Sequence, residues 1–227
     1  MSALAQIPDT ANRLYGRAKG KPLSAYQSGL IETLLPDISV SVDAPLYGLE
    51  QFDSRYLEIG FGAAEHILHR ASENPRNAYI GAEPFLNGVA KACAGIDRGG
   101  LDNIRLYHGD VRDLFPAMGR HSLDGMYILF PDPWPKSRHN KRRIMSKEFI
   151  TQIHGLIKPG GFLCFASDIL DYVDWTLTRI DAHSGFGFSP DSKADFLTPY
   201  TGWPGTRYQK KATREGRIPH YFTFTAQ

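Results

Sequence analysis

Four carboxylates stand where an apolar run gives way to a turn. Glu58 lies in Leu57-Glu58-Ile59-Gly60-Phe61-Gly62, Glu83 follows Ile80-Gly81-Ala82, Asp110 closes Tyr107-His108-Gly109-Asp110, and Asp132 sits between prolines in Phe130-Pro131-Asp132-Pro133-Trp134-Pro135-Lys136. Pro131 and Pro133 cannot donate to a sheet ladder, so a strand over Leu123 to Phe130 must end just before Asp132. In open α/β sheets, ligands bind at that edge. Directly behind Asp132 come Lys136, Arg138, His139, Lys141, Arg142 and Arg143. An acid able to stabilise charge during a reaction thus adjoins cations suited to phosphates.

The Gly60-Phe61-Gly62 turn opens a helical stretch, but a dinucleotide fingerprint needs its third glycine at position 65, which is Glu65. Two carboxylates, Glu58 and Glu65, would repel a pyrophosphate. They suit instead a ligand that is cationic and carries no phosphate, such as S-adenosyl-L-methionine. Glu83 follows Gly62 by 21 residues, the spacing at which a carboxylate accepts from both ribose hydroxyls. Asp110 is placed to accept from an adenine amino group. Each acid alone fits a helix cap or a satisfied turn. Together, at the ends of successive strands, they point to an adenosine-type cofactor.

The elements that must position these acids are read from periodicity. Strands are predicted at Arg55 to Ile59, Ala78 to Ala82, Ile104 to His108, Leu123 to Phe130 and Gly161 to Ala166. Helices are predicted at Glu65 to Ser72, Phe85 to Arg98, Lys147 to Ile157 and Ile169 to Asp181, with a short or irregular stretch near Phe115 to Met118. The β-α repetition implies an α/β chain with a doubly wound, mostly parallel sheet. Two aromatic runs, Gly185 to Phe188 and His220 to Phe224, are expected to pair as an antiparallel hairpin at its edge. Residues 1 to 54 read as a basic arm and one helix, Ser24 to Leu35, stopped by Pro36. The whole forms a single globular body whose main domain covers 55 to 227.

The composition, 42% hydrophobic and 22% charged over 227 residues, is that of a globular domain. No apolar run approaches the length a bilayer needs and no leader pattern opens the chain, so a soluble, cytoplasmic protein is expected. Cys93 and Cys164 lie in apolar segments, too few for a zinc site or a disulfide framework. No metal is expected. The net charge of +2 hides a segregation. Residues 13 to 21, 136 to 143 and 206 to 217 hold 14 of the 26 Lys and Arg but one of the 24 acids, Glu215. If the fold gathers them, they form the footprint of a nucleic-acid binder. Arg13, Arg17, Lys19 and Lys21 read as a flexible arm that grips the nucleic acid.

With these residues in view, the chain resembles the bacterial tRNA (guanine-N7-)-methyltransferase family from about Arg13 to Phe224. The resemblance rests on Glu58-Ile59-Gly60-Phe61-Gly62, on Phe130-Pro131-Asp132-Pro133-Trp134-Pro135-Lys136, on Arg138-His139-Asn140-Lys141-Arg142-Arg143 and on Thr206-Arg207-Tyr208. It implies a seven-stranded, Rossmann-like class I methyltransferase fold and methyl transfer from S-adenosyl-L-methionine to the variable-loop guanosine of tRNA, position 46. By motif position it implies Glu58, Gly60, Gly62, Glu83, Asp110 and Asp132 on the cofactor side. Lys136, Asp168, Thr206, Arg207, Tyr208 and Gln209 fall on the substrate side. Arg138, Lys141, Arg142 and Arg143 are expected on phosphates.

Guanine N7 already carries a free lone pair, so its methylation needs no general base and leaves alignment and electrostatics as the work of catalysis. Asp132 is assigned the stabilisation of positive charge as it passes from sulfonium to purine. Trp134 is suited either to stack on the base or to pack beneath its loop, and Asp168 either to contact the base or to cap the next helix. Two positions depart from the family pattern. Ala64 stands where glycine is usual and is expected to narrow the approach to the methionine end. Gln209 stands where glutamate is usual, which leaves one carbonyl acceptor for the two guanine donors, N1–H and N2–H. Two other functions remain compatible with the residues: a methyltransferase for a non-RNA substrate, and an RNA-binding protein that kept the fold and lost turnover.

Overall fold

The computed structural model describes residues 20–43, 48–190 and 192–227. Seven strands form its centre: β1 (Ser54–Ile59), β2 (Asn77–Ala82), β3 (Ile104–Tyr107), β4 (Leu123–Leu129), β5 (Ile157–Ser167), β6 (Phe186–Gly187) and β7 (His220–Ala226). They lie in one sheet ordered β3-β2-β1-β4-β5-β7-β6. The first five are parallel, β7 runs antiparallel to β5, and β6 antiparallel to β7. The order turns around between β1 and β4, so the loops leaving their carboxyl ends diverge and open a crevice. Glu58 lies at the end of β1, Glu83 just beyond β2 and Asp132 just beyond β4.

Among the described residues, eight α-helices cover the sheet: α1 (Ala25–Thr33), α2 (Leu35–Ile38), α3 (Glu65–Glu73), α4 (Leu86–Gly99), α5 (Val111–Leu114), α6 (Lys147–Leu156), α7 (Leu170–Asp181) and α8 (Arg207–Arg214). Because helices lie on both faces, the strands read as continuous apolar runs. On one face Leu57, Met126, Ile128 and Phe165 are buried with Phe149 and Ile153 of α6 and Tyr172 of α7. On the other, Tyr79 is buried with Ile67 of α3 and Val89 and Cys93 of α4. Each such side chain contributes roughly 1.5–3 kcal/mol by leaving water. Burial also pushes the Cys93 and Cys164 thiols up to about 11 and about 12, so both stay protonated and inert.

Pro36 does not act as the expected stop. Ser24 caps α1 with a full capping box, the helix ends at Thr33, and Pro36 enters the first turn of α2, where a missing N–H costs nothing. Residues 20–43 dock on the body: the Tyr26 hydroxyl donates to Asp97 at 2.5 Å, and Ser39 bridges to Leu106. Of the expected basic arm, Arg13, Arg17 and Lys19 lie outside the described residues. The aromatic runs pair antiparallel as expected, yet the chain between them is long and carries α8, a helix absent from the sequence reading.

Candidate active site

The turn after β1 is built from left-handed backbone. Gly60, Gly62 and Ala64 have φ of +70°, +58° and +66°. Glycine takes this conformation freely, whereas an L-residue pays roughly 1–2 kcal/mol for it. Ala64 therefore adopts the geometry that a glycine would, and its methyl is fully buried in the core beside α3. The expected narrowing of the cofactor approach is corrected: this methyl does not line the crevice.

Glu83 braces the turn. One carboxylate oxygen accepts from the Gly62 N–H at 2.7 Å and the other from the Phe85 N–H at 2.9 Å. The side chain is buried. Burial raises its carboxyl above the usual range, the two N–H bonds act against this, and the Asp132 and Glu58 charges add to the rise. Gly88 lets α4 close on the same turn, because a Cβ there would come within 2.4 Å of the Gly62 carbonyl oxygen and 3.0 Å of Glu83 Cγ.

Glu58 lies in the floor of the crevice, close enough for its charge to act on Glu83. The pleat of β1 puts it on the α3 side, buried, where its Oε2 lies 2.6 Å from His66 Nδ1. On the other side of the ring, Nε2 meets the Tyr200 hydroxyl. The Arg70 guanidinium lies 5.4 Å from the Tyr200 ring centroid, and Trp203 lies 5.3 Å from His66. This buried relay ties the floor of β1 to the loop before α8. Neither His66 nor Tyr200 stands out in the sequence, because 134 residues separate them.

Asp110 caps α5, accepting from the Arg112 N–H at 3.0 Å and from Arg112 Nε at 2.9 Å. The capping alternative for this acid is realised, with its own helix's arginine closing one side. Asp132 differs from the other acids in being open to solvent. Protein mass around the mouth nevertheless desolvates it enough to raise its carboxyl. Its flanks are strained: Phe130 and Trp134 have φ of +53° and +45°, conformations worth of order 1–3 kcal/mol each and typical of functional sites. Trp134 has the Arg142 guanidinium 4.9 Å and the His139 ring 6.0 Å from its own.

Lys136, Arg138 and Lys141 are exposed around a short 3-10 turn at Ser137–Arg142. Their field is visible on His139: slight desolvation first, then the Arg142, Arg138, Lys136 and Lys141 charges, push its imidazole down and keep it neutral. Arg143 does not belong to this set, which corrects its expected phosphate contact. Its guanidinium is buried, pairs with Asp171, donates to the Pro133 carbonyl at 2.8 Å, and lies 5.0 and 5.1 Å from the Tyr172 and Trp175 rings. It is the internal post that anchors the Asp132 loop on α7.

On the opposite lip, Asp168 accepts from Arg217 Nε at 2.6 Å, while Ser167 satisfies the following N–H. The capping alternative for Asp168 is excluded. Thr206 is buried and caps α8 by accepting from the Gln209 N–H at 3.1 Å. Gln209 already uses one acceptor position of its Oε1 on the Trp203 indole N–H, at 2.6 Å. Arg207, Tyr208, Lys210 and Lys211 are exposed along α8. Its capping threonine and following glycine, Gly216 at φ +73°, were the available helix signals.

The chain as a whole is similar to known proteins. The family model Methyltransf_4, described as "Putative methyltransferase", matches residues 53–221. A tRNA (guanine-N(7)-)-methyltransferase of Rhizobium etli is 47% identical over 92% of this chain and 94% of its own length. One of Agrobacterium fabrum is 47% identical over 92% and 93%. Among solved structures, the 16S rRNA methyltransferase KamB aligns with a TM-score of 0.58 at 17% identity, covering 79% of this chain and 90% of that one. TrmN from Thermus thermophilus aligns with a TM-score of 0.54 at 15% identity, covering 88% and 48%. The two structures support the fold, and the identities over nearly the full length of both chains show that this chain belongs to the tRNA (guanine-N7-)-methyltransferase family.

Proposed function

We propose that this chain transfers a methyl group from S-adenosyl-L-methionine to N7 of the variable-loop guanosine, position 46, of tRNA. The observation that carries the reading is the position of Asp132, open at the end of β4, whose charge reaches Glu83 on one side and which leads directly into the exposed Lys136, Arg138 and Lys141 on the other. A cofactor acid and a phosphate-binding block are joined through one strained loop. The relatives' names supply the substrate, and position 46 rests on the sequence resemblance.

The crevice fits this cofactor. The left-handed Gly60–Gly62 turn gives backbone access, Glu83 keeps lone pairs for two ribose hydroxyls beyond its two N–H donors, and the nearby acids suit a cation. Asp110, with Arg112 on one side, is offered to the adenine amino group. Glu58 acts from below, holding the turn through His66. When bound, the cofactor supplies an electrophilic methyl on a sulfonium. Asp132 holds a fixed negative charge near the path along which positive charge moves to the purine, and does so without exchanging a proton. Lys136 and Arg138 hold the strand near the target, and Asp168, held by Arg217, faces the base.

The retained turn geometry at Ala64 removes one motive for a fold without turnover. The test is incubation with labelled S-adenosyl-L-methionine and unmodified tRNA transcript, followed by chemical cleavage at 7-methylguanosine. Cleavage at position 46 supports the reading. Label on tRNA elsewhere, or binding without transfer, contradicts it.

A further inference from the structure

Tyr208 is a large aromatic residue left 45% exposed, yet it is not on an open surface. It occupies the first turn of α8, pinned by the Thr206 cap and by the Trp203–Gln209 bond, and reaches across the crevice to the glycine turn. Its Cε2 lies 3.2 Å, and its hydroxyl 3.9 Å, from the point that a Cβ on Gly62 would occupy. Its hydroxyl is raised chiefly by burial, with Glu83, Asp132 and Glu65 each adding to the rise. The ring thus stands over the turn whose Gly62 N–H is held by the acid assigned to the ribose, within the field of the acid assigned to the transfer step.

In S-adenosyl-L-methionine the sulfur is bonded directly to the ribose 5′ carbon. A ribose held at Glu83, with its methyl directed to Asp132, leaves the sulfonium in that interval. We propose that the Tyr208 ring roofs the sulfonium and reads its charge, so that this side chain belongs to cofactor recognition and not to the base-contacting set. An aromatic ring attracts a cation through its quadrupole but gains nothing comparable from a neutral thioether. The Arg207 guanidinium, 5.6 Å from the ring centroid, sits near the limit of this attraction and does not exhaust it. Because Tyr208 rides on α8, which also presents Lys210 and Lys211 to solvent, the charge state of the cofactor is linked to a surface the tRNA touches. The inference rests on the function proposed above.

The experiment is calorimetric binding of S-adenosyl-L-methionine and of its neutral product, S-adenosylhomocysteine, to the full-length wild type, Tyr208→Phe and Tyr208→Leu, without tRNA. The leucine variant is expected to lose about three- to tenfold in affinity for the sulfonium ligand and less than twofold for the thioether. The phenylalanine variant, which keeps the ring, should retain the wild-type ratio. Equal losses for both ligands, no loss, or tighter binding by the leucine variant would overturn the proposal, the last by making Tyr208 a plug. A phenylalanine variant as defective as leucine would also overturn it, by assigning the effect to the hydroxyl. Wild type that binds neither ligand would instead contradict the methyltransferase reading, so the two failures are distinguishable.

Discussion

The two lips of the crevice are built on opposite plans. On the strand-end side, Glu58, Glu83 and Asp110 are buried, and each is already held by a named donor: His66, the Gly62 and Phe85 N–H groups, and Arg112. On the facing side, Lys136, Arg138, Lys141, Arg207 and Lys210 stand in solvent. A small cationic ligand needs fixed acceptors at fixed positions, because each misplacement is felt in full at low dielectric. A polyanion needs many exposed charges, each weak and each replaceable. On the proposed function, burial would separate selection of the cofactor from capture of the RNA.

The largest effect is expected at the joint between the two plans. Asp132→Asn should lower the single-turnover transfer rate about a hundredfold to a thousandfold, with tRNA affinity changed little, because the lost charge acts during transfer and not on phosphates. A near-wild-type rate would remove Asp132 from the reaction. Glu83→Ala should weaken S-adenosyl-L-methionine about tenfold to a hundredfold, since two hydrogen bonds to a charged acceptor are lost. Calorimetry showing an unchanged affinity would place the ribose elsewhere.

Arg143 and Lys141 are two residues apart and belong to different plans. Arg143→Ala should cost about 2–4 kcal/mol of stability through lost packing and a lost buried hydrogen bond, read by denaturant unfolding. Lys141→Ala should leave stability unchanged and flatten the log–log salt dependence of tRNA binding by about 0.9. The reverse pattern would return Arg143 to the phosphate set.

A smaller effect follows from acidity. Burial raises the Glu83 and Asp132 carboxyls, so protonation on acidification removes their charge above the ordinary carboxylate range of about 4. Affinity for the cationic cofactor should fall as pH drops through that raised range. Folding responds with the opposite sign: the folded state binds these protons more readily than the unfolded chain, so their contribution is destabilising at neutral pH and is relieved on acidification. Binding that held constant until pH fell below the ordinary range would contradict the desolvated setting. The smallest effect is expected at Ala64→Gly, within about 1 kcal/mol of wild type, because relief of left-handed strain and loss of a buried methyl are of similar size.

What could be read from the chain divides along physical lines. The parallel strands, and the positions of Glu83 and Asp132 just beyond strand ends, were legible because apolar runs, prolines and the glycine turn are local signals. The burial of Arg143 was not, since its neighbours in sequence are surface cations and only the packing of α7 against the Asp132 loop decides its place. The Glu58–His66–Tyr200 relay was invisible for the same reason, being made across three elements. Gln209 was read as a base contact from its motif position, whereas the Trp203 indole that claims its carbonyl sits in a loop without periodicity. α8 was legible in principle, from Thr206 and Gly216, but its residues were read only as one of the three basic windows.

The division between buried acceptors and exposed cations is tested most directly by measuring, on one preparation of the wild-type chain, the salt dependence of both affinities. The affinity for unmodified tRNA should fall steeply with salt, with a log–log slope of about −3 or steeper from four or more phosphate contacts. The affinity for S-adenosyl-L-methionine should stay nearly flat, because its acceptors are buried and little screened. Slopes that fall in parallel, or a tRNA affinity indifferent to salt, would contradict the account.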